Sequence, residues 1–273
     1  MAMIAVSLTD VPETMLWTLH NRASEAARPD GVLKDETALC IYRGLDCDYR
    51  RLFGKPDASH GVRSAVFDRE ILAFLEEHPD GVVVNLGEGL ETQRFRVDGA
   101  AAFWISVDLP EAIAVRERFI TPDERHVHVP LSVMDRAWFD AVPRGRPVYI
   151  TAQGLLMYFE AEDVAALFCD MAARFPGAWF AFDHIPRWLS RRFVRGYRLT
   201  KHYTVPPTPW GIDIDDVEPT LRAWVSDLAE VRRLPFRFPR GFIRWVFAAW
   251  TVAPFARRHV YGLTRIRFGQ SNG

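Results

Sequence analysis

Cysteine is scarce in this chain: Cys40, Cys47 and Cys169 are the three thiols among 273 residues. Three thiols cannot all pair, and no metal-ligand spacing surrounds them. That excludes a disulfide framework, gives no metal site, and predicts free thiols in a reducing compartment. An excess of one charge is also missing. With 34 basic and 35 acidic residues the net charge is -1, whereas a nucleic-acid binder normally keeps a basic surplus for phosphates. Long apolar runs are absent too. The most apolar stretch, Phe242 to Ala256, is too short to span a bilayer and carries Arg244. Met1 to Leu8 has no basic segment leading into an apolar core, so no secretion signal is read there. These absences predict a soluble cytoplasmic protein with no nucleic-acid and no membrane contact. No Gly-x-Ser-x-Gly elbow, internal repeat or low-complexity tract is found, which argues against covalent hydrolase chemistry and repeat architectures.

What is present is a chain that is 49% hydrophobic, ample for a sizeable core. Helical spacing is read over Thr14 to Ala27, Ser59 to Glu77, Glu111 to Phe119, Asp163 to Phe175 and Val217 to Leu228. Strands are expected at Val82 to Leu86, Phe103 to Val107, Val127 to Leu131, Pro147 to Ala152 and Ala178 to Phe182. A late strand, Val260 to Phe268, is expected to run antiparallel to the others. This alternation predicts an α/β fold with a mostly parallel sheet covered on both faces. Residues 187–212 break the rhythm. The basic, aromatic stretch there holds no acidic residue and closes on Pro206-Pro207-Thr208-Pro209; it is read as a cap over a ligand crevice.

The richest segment is Gly81 to Leu90. Val82-Val83-Val84-Asn85-Leu86 empties into Gly87-Glu88-Gly89, a strand ending in a turn that lets backbone approach a ligand. The next strand ends in Asp108, an acid placed to accept hydrogen bonds from ribose hydroxyls. The dinucleotide fingerprint would need a third glycine where Thr92 stands. A nucleoside without phosphates is therefore favoured, and a nicotinamide oxidoreductase disfavoured.

Plainer roles compete for several residues. Asp108 could cap the helix beginning near Pro110, and Asp135 the segment from Arg136 to Ala141. His126 and His128 share a strand face but have no third ligand nearby, so structural roles are favoured over a metal. Arg187, Arg191, Arg192, Arg195, Arg198 and Lys201 could be a solvated face, or could attract an acidic aromatic substrate alongside Tyr197, His202 and Tyr203.

The motif order resembles the class I S-adenosylmethionine-dependent methyltransferases, within them the leucine carboxyl methyltransferase and polyketide (tetracenomycin-type) O-methyltransferase family. The resemblance runs from about Glu13 to Phe268. Its carriers are Glu13-Thr14-Met15-Leu16-Trp17 with Arg22-Ala23, Val83-Val84-Asn85-Leu86-Gly87, and Val107-Asp108-Leu109-Pro110-Glu111. Ser132-Val133-Met134-Asp135 with Trp138, then Gly154-Leu155-Leu156-Met157-Tyr158, complete the set. The resemblance implies one Rossmann-like domain over residues 1–273, with a mostly parallel seven-stranded sheet, N-terminal helices within 10–80 and the 187–212 cap.

It also implies S-adenosylmethionine as cofactor. Gly87 and Gly89 would line its amino-acid part, Asp108 would hold the ribose and Asp135 would meet the adenine amino group. Arg63, with Arg22 as a second cation, would face its carboxylate, and Tyr158 would lie near the reacting end. Two departures stand out. The family glycine loop usually reads Gly-Cys-Gly-Leu-Asp-Thr-Arg, against Gly87-Glu88-Gly89-Leu90-Glu91-Thr92-Gln93 here. The glutamate usual before Gly-Leu-Leu-Met-Tyr is Gln153, and Glu88 could supply the missing charge from the neighbouring loop.

The expected activity is O-methylation of a small acidic or aromatic metabolite, with no protein partner indicated. A carboxylate, ionised at neutral pH with a pKa near ~4, needs no general base and is favoured. A phenol would need one, for which His202 or His184 would serve. Tyr158, Tyr203 and His202 are the candidates for the acceptor side. The alternatives are an S-adenosylmethionine-consuming lyase or cyclase and a non-catalytic methyltransferase-like binding protein.

Overall fold

The computed structural model describes residues 3–5, 8–97, 99, 101–253 and 255–270. Its frame is a seven-stranded sheet preceded by helices. A two-residue parallel ladder joins β1 (Ile4–Ala5) to β2 (Leu45–Asp46). Around it lie α1 (Asp10–Ala26), α2 (Glu36–Gly44), α3 (Tyr49–Phe53) and α4 (Ser59–Glu77). The sequence reading missed α2 and α3. α2 carried a legible start signal, because Asp35 accepts the Ala38 N–H at 2.8 Å as its N-cap.

The sheet then alternates with helices: β3 (Val82–Leu86), β4 (Phe103–Asp108), α5 (Pro110–Arg116), β5 (His126–Pro130), β6 (Val148–Ala152), α6 (Ala161–Arg174), β7 (Trp179–His184), α7 (Arg187–Val194), α8 (Val217–Trp224), β8 (Leu228–Leu234), α9 (Phe242–Val252) and β9 (Gly262–Phe268). The strand order is β5-β4-β3-β6-β7-β9-β8. β3 to β7 are parallel; β9 runs antiparallel to β7 and β8, as the sequence predicts for the late strand.

β8 corrects one expectation. The apparent helix over 217–228 stops at Trp224, and Leu228 instead opens an edge strand. β8 pairs on one side alone, so its exposed Arg232 and Arg233 mask the alternation that marks a half-buried strand.

β3 and β6 are fully buried apolar runs, as parallel strands covered on both faces must be. One face packs Trp138, Phe168, Phe180 and Phe182 beneath α6 and α8; the other packs Phe67, Ile71, Tyr149 and Leu263 beneath α4. β3 sits where the chain order reverses, with β4 on one side and β6 on the other. In open α/β sheets the crevice beyond the carboxyl ends of such strands is where ligands bind.

Candidate active site

The turn after β3 opens that crevice. Gly87 and Gly89 have φ of 60° and 52°, a left-handed conformation that strains any side chain. A Cβ on Gly87 would lie 2.6 Å from Leu155 Cδ1, and one on Gly89 would lie 2.9 Å from Met15 Cβ. At the end of β4, Asp108 accepts the Gly89 N–H at 2.6 Å and the Leu109 N–H at 2.7 Å. Desolvation pushes its carboxyl up to about 6, against those two backbone donors. A carboxylate has about four acceptor sites, so two remain for hydroxyl donors from the crevice. Asp108 thus holds the loop and still has acceptor capacity toward the crevice.

Beneath the loop stands Arg116, a residue the sequence reading did not single out. Fully buried, it donates from Nη1 to Gly89 O at 2.9 Å and Glu91 O at 2.7 Å, and its Nη2 lies 3.1 Å from Glu88 Oε1. The Gly89 and Glu91 carbonyls of the loop are thus braced by one guanidinium. Glu88 also accepts from Asn85 Nδ2 at 3.1 Å, while its Oε2 is buried with no partner among the described residues. Burial raises its pKa, against the pull of Arg116.

The crevice, counted with its open mouth, spans about 690 Å³ and is walled by Gly87, Glu88, Gly89, Asp108, Gln153 and Tyr158, with α1 contributing Thr14, Met15 and Thr18. Gln153 donates from Nε2 to Gln93 Oε1 at 3.2 Å, leaving its own Oε1 buried and unpartnered among the described residues. Arg63 completes the wall from α4. Its Nη1 donates to Asp183 Oδ2 at 2.9 Å, while its buried Nε has no partner among the described residues. Asp183, at the end of β7, also accepts the Gly154 N–H at 2.6 Å and the Tyr261 hydroxyl at 2.6 Å. Burial opposes the Arg63 charge, yet Asp183 holds its pKa above the ordinary arginine value.

A second cavity of about 950 Å³ adjoins the first, and its walls are mostly apolar. Trp17, Met157, Phe193, Phe236, Phe238 and Phe247 line it, with His60, Asp183 and Tyr261 among its polar groups. Leu189, Phe193, Val205 and Thr208 of the 187–212 stretch line this cavity, the first three with apolar side chains. The arginines of that stretch, Arg191, Arg192, Arg195 and Arg198, instead line a separate, shallow outer depression.

Several expected site residues lie elsewhere. Arg22 does not line the crevice; it is fully buried and donates to Glu91 Oε1 at 2.9 Å, Leu90 O at 2.6 Å, Thr92 Oγ1 at 3.2 Å and Asp35 Oδ2 at 3.4 Å. Its Nη1 and Nη2 tie α1 to the loop and to Asp35 at the start of α2. Asp135 is exposed, outside the crevice, and caps the short turn Arg136–Ala141 by accepting the Ala137 N–H at 2.9 Å. His202 is exposed and lines neither cavity. Tyr203 is buried against Phe53 and Trp17, also outside both. His184 is buried between Ile212 O and Thr264 Oγ1, each at 3.3 Å, and desolvation lowers its pKa to about 4. His126 meets Ser106 Oγ at 2.8 Å and His128 meets Glu117 Oε1 at 3.2 Å, so both histidines have structural partners. Among the described residues no group of three His, Cys, Asp or Glu could hold a metal ion.

Known proteins share this frame. A family model described as leucine carboxyl methyltransferase matches residues 16–172, more than half the chain. The chain belongs to the leucine carboxyl methyltransferase family. It is thereby a class I S-adenosylmethionine-dependent methyltransferase, with that molecule as its cofactor. Within the family's reach, the tetracenomycin polyketide synthesis O-methyltransferase TcmP of Streptomyces glaucescens is 33% identical over 213 residues, 76% of this chain and 77% of that one. The S-adenosyl-L-methionine-dependent methyltransferase dpfgK of Gibberella zeae is 29% identical over 180 residues, covering 59% of this chain and 60% of its own. In fold, a solved Thermobifida fusca protein, provisionally described as a methyltransferase, superposes with a TM-score of 0.54 at 15% identity over 95% of both chains. The seven-stranded, mostly parallel sheet that the resemblance implies is the sheet observed.

Proposed function

We propose that this methyltransferase acts on an oxygen of a small, largely apolar aromatic acid, held in the cavity walled by Trp17, Phe193 and Phe247. One observation carries the reading. Thr14, Thr18, Arg63, Gly154 and Tyr158 line both the crevice beyond β3 and the apolar cavity beside it. A cofactor in the first and an acceptor in the second would meet at those five residues.

The crevice suits the cofactor. Asp108 has acceptor capacity for ribose hydroxyls. Glu88 Oε2 and Gln153 Oε1 are orphaned buried acceptors fitting an ammonium, and Arg63 Nε is an orphaned buried donor fitting a carboxylate. An ammonium would thus meet one carboxylate oxygen and one amide oxygen, which makes Glu88 a partial substitute for the charge Gln153 lacks. Arg116 neutralises the rest of that charge from below.

When bound, S-adenosylmethionine supplies an electrophilic methyl group whose leaving thioether is neutral. The protein's task is then to align the acceptor oxygen and shed its water. Near the shared wall no available proton acceptor is found among the described residues. Burial pushes the Tyr158 phenol up to about 12, and burial with Asp183 raises Tyr261 well above its ordinary value. Asp183 already accepts three hydrogen bonds. His60, which the sequence reading passed over, is pushed by burial well below its ordinary pKa, and its Nδ1 lies 2.9 Å from Asn21 Nδ2. Asn21 Oδ1 accepts the Asp57 N–H at 3.3 Å, so its amide nitrogen donates to His60. The remaining ring nitrogen, Nε2, therefore carries the proton and acts as a donor. Donors without a base suit an acceptor that arrives ionised, and a carboxylate does.

The test is a product assay with S-adenosylmethionine and a matched pair of polycyclic aromatic probes, one bearing a carboxyl and one a phenol. The expected products are S-adenosylhomocysteine and the methyl ester. His60→Ala should lower kcat/KM for the acid by about tenfold, the scale of one hydrogen bond to a charged group, with cofactor affinity unchanged. Turnover of the phenol alone would overturn the carboxylate reading; methylthioadenosine without a methylated acceptor would point to a lyase.

A further inference from the structure

The even charge balance conceals a strong segregation. Residues 187–212 and 231–273 together carry fifteen basic residues and no Asp or Glu, leaving 19 basic residues against all 35 acidic ones elsewhere. Some of these cations are spent inside the fold: Arg240 pairs with Glu25, Arg265 with Glu70 and Glu230, and Arg187 with Asp213 and Asp216. Others are not. Arg191, Arg192, Arg195, Arg198, Lys201 and Arg244 form no ion pair among the described residues.

The same two segments expose large apolar side chains. α9 reads Phe-Ile-Arg-Trp-Val-Phe-Ala-Ala-Trp-Thr-Val and none of its residues is buried. Phe242 is 81% exposed, Trp245 67% and Val252 77%, with Phe255 just beyond at 77%. A helix apolar on nearly every side is normally covered. On its inner side Phe247 packs at 5.4 Å against both Phe236 and Phe238 and walls the acceptor cavity. α7 walls the same cavity through Leu189 and Phe193, and its Trp188 donates to His259 O at 2.9 Å, tying the basic cap to the segment after α9. Exposed Trp188 and Val194 extend the apolar surface onto the cap.

We propose that α9 and the basic cap form one surface that lies on an anionic lipid bilayer. The charge pattern selects a negatively charged partner. The protruding Phe, Trp and Val side chains then select a lipid surface over a nucleic acid, because they gain by entering the acyl boundary and have nothing to enter on a phosphate backbone. Trp and Phe beside unpaired Arg is the composition of helices that lie in the membrane interface, and each arginine near such a surface is attracted by its negative potential. The lack of a spanning run excludes crossing the bilayer by a helix among the described residues, and is silent about lying on it. The expectation of no membrane contact rested on that missing run. The acceptor cavity shares its Leu189, Phe193 and Phe247 walls with this surface, so an apolar acceptor dissolved in lipid could enter beside the seated face.

The experiment is flotation of the full chain with phosphatidylcholine vesicles, with and without phosphatidylglycerol. The protein should float with the anionic vesicles, stay behind with the neutral ones, and be released by high salt. The double change Phe242→Ser with Trp245→Ser should cut partitioning at least about tenfold. The pair Arg191→Glu with Arg195→Glu should cut it at least about thirtyfold, near a fivefold step per arginine. These four residues line neither cavity wall of the cofactor crevice nor that of the acceptor, so unchanged S-adenosylmethionine affinity certifies that each variant is folded. Failure to float, or flotation equal in the variants, overturns the proposal. So does a concentration-dependent dimer dissolved by the Phe242 and Trp245 changes, which would put a second copy of this chain over α9.

Discussion

Arg63→Ala is expected to weaken S-adenosylmethionine binding at least about a hundredfold and to destabilise the fold by about 3–5 kcal/mol. Two losses add here. The crevice and the acceptor cavity lose the guanidinium they share. Asp183 is left as a buried charge held, among the described residues, by Tyr261 and the Gly154 N–H. The double variant Arg63→Ala with Asp183→Asn separates them: it should recover much of the stability, because the orphaned charge is gone, but none of the binding. Urea unfolding and calorimetric titration measure the two effects on the same samples. Cofactor affinity within threefold of the parent in the single variant would remove Arg63 from the site.

Arg22→Leu is the contrasting case. It should cost a similar 3–5 kcal/mol, yet leave the affinity of the folded protein for S-adenosylmethionine within about threefold. Arg22 spends its donors on Glu91, Leu90 and Thr92 rather than on the crevice. Although burial opposes it, Arg22 together with Arg96 holds the Glu91 carboxyl below the usual range. The sign follows from linkage. A depressed carboxylate contributes stability above its unfolded pKa of ~4.3 and loses it as pH falls through the folded value. The Arg22→Leu deficit should therefore be full at neutral pH and shrink under acid. Unfolding curves at pH 7 and pH 3 check this; an equal deficit at both would contradict the Glu91 coupling.

These two arginines mark how far the sequence could be read. The family resemblance implied a cofactor-carboxylate role for both, and both lie on helices. One reaches the crevice and one braces the loop behind it. The difference depends on Glu91 and Asp35, which come from distant parts of the chain and converge in the fold alone. The glycine turn and Asp108 were legible because strand, turn and acid are close in sequence and each has a local physical reason. Asp135 followed the family's order but acts as a cap, its plainer role. Arg116, Asp183, Tyr261 and His60 escaped notice because their partners lie on separate elements; for Asp183, its place at the end of a buried strand was a usable signal.

The cap shows the same limit from another side. Its basic composition was plain and suggested an acidic ligand inside. In the fold the helical period turns Leu189 and Phe193 toward the cavity and the arginines outward. β8 and α9 were not read as elements at all, one because an edge strand tolerates charge, the other because an apolar helix left exposed breaks the usual link between hydrophobicity and burial.

The most direct test of the account is calorimetric titration with S-adenosylmethionine of the parent protein and of Asp108→Ala, each between pH 5 and pH 8. Desolvation pushes the Asp108 carboxyl up to about 6, and the proposed acceptance of ribose hydroxyls needs the carboxylate form. The parent should bind one equivalent at pH 7.5 and lose affinity as pH falls through 6. The variant should bind at least about a hundredfold more weakly, the scale of two lost hydrogen bonds to a charged group, and without that pH step. Equal affinity in both proteins, or no binding to either, would contradict the assignment of the cofactor to the crevice beyond β3.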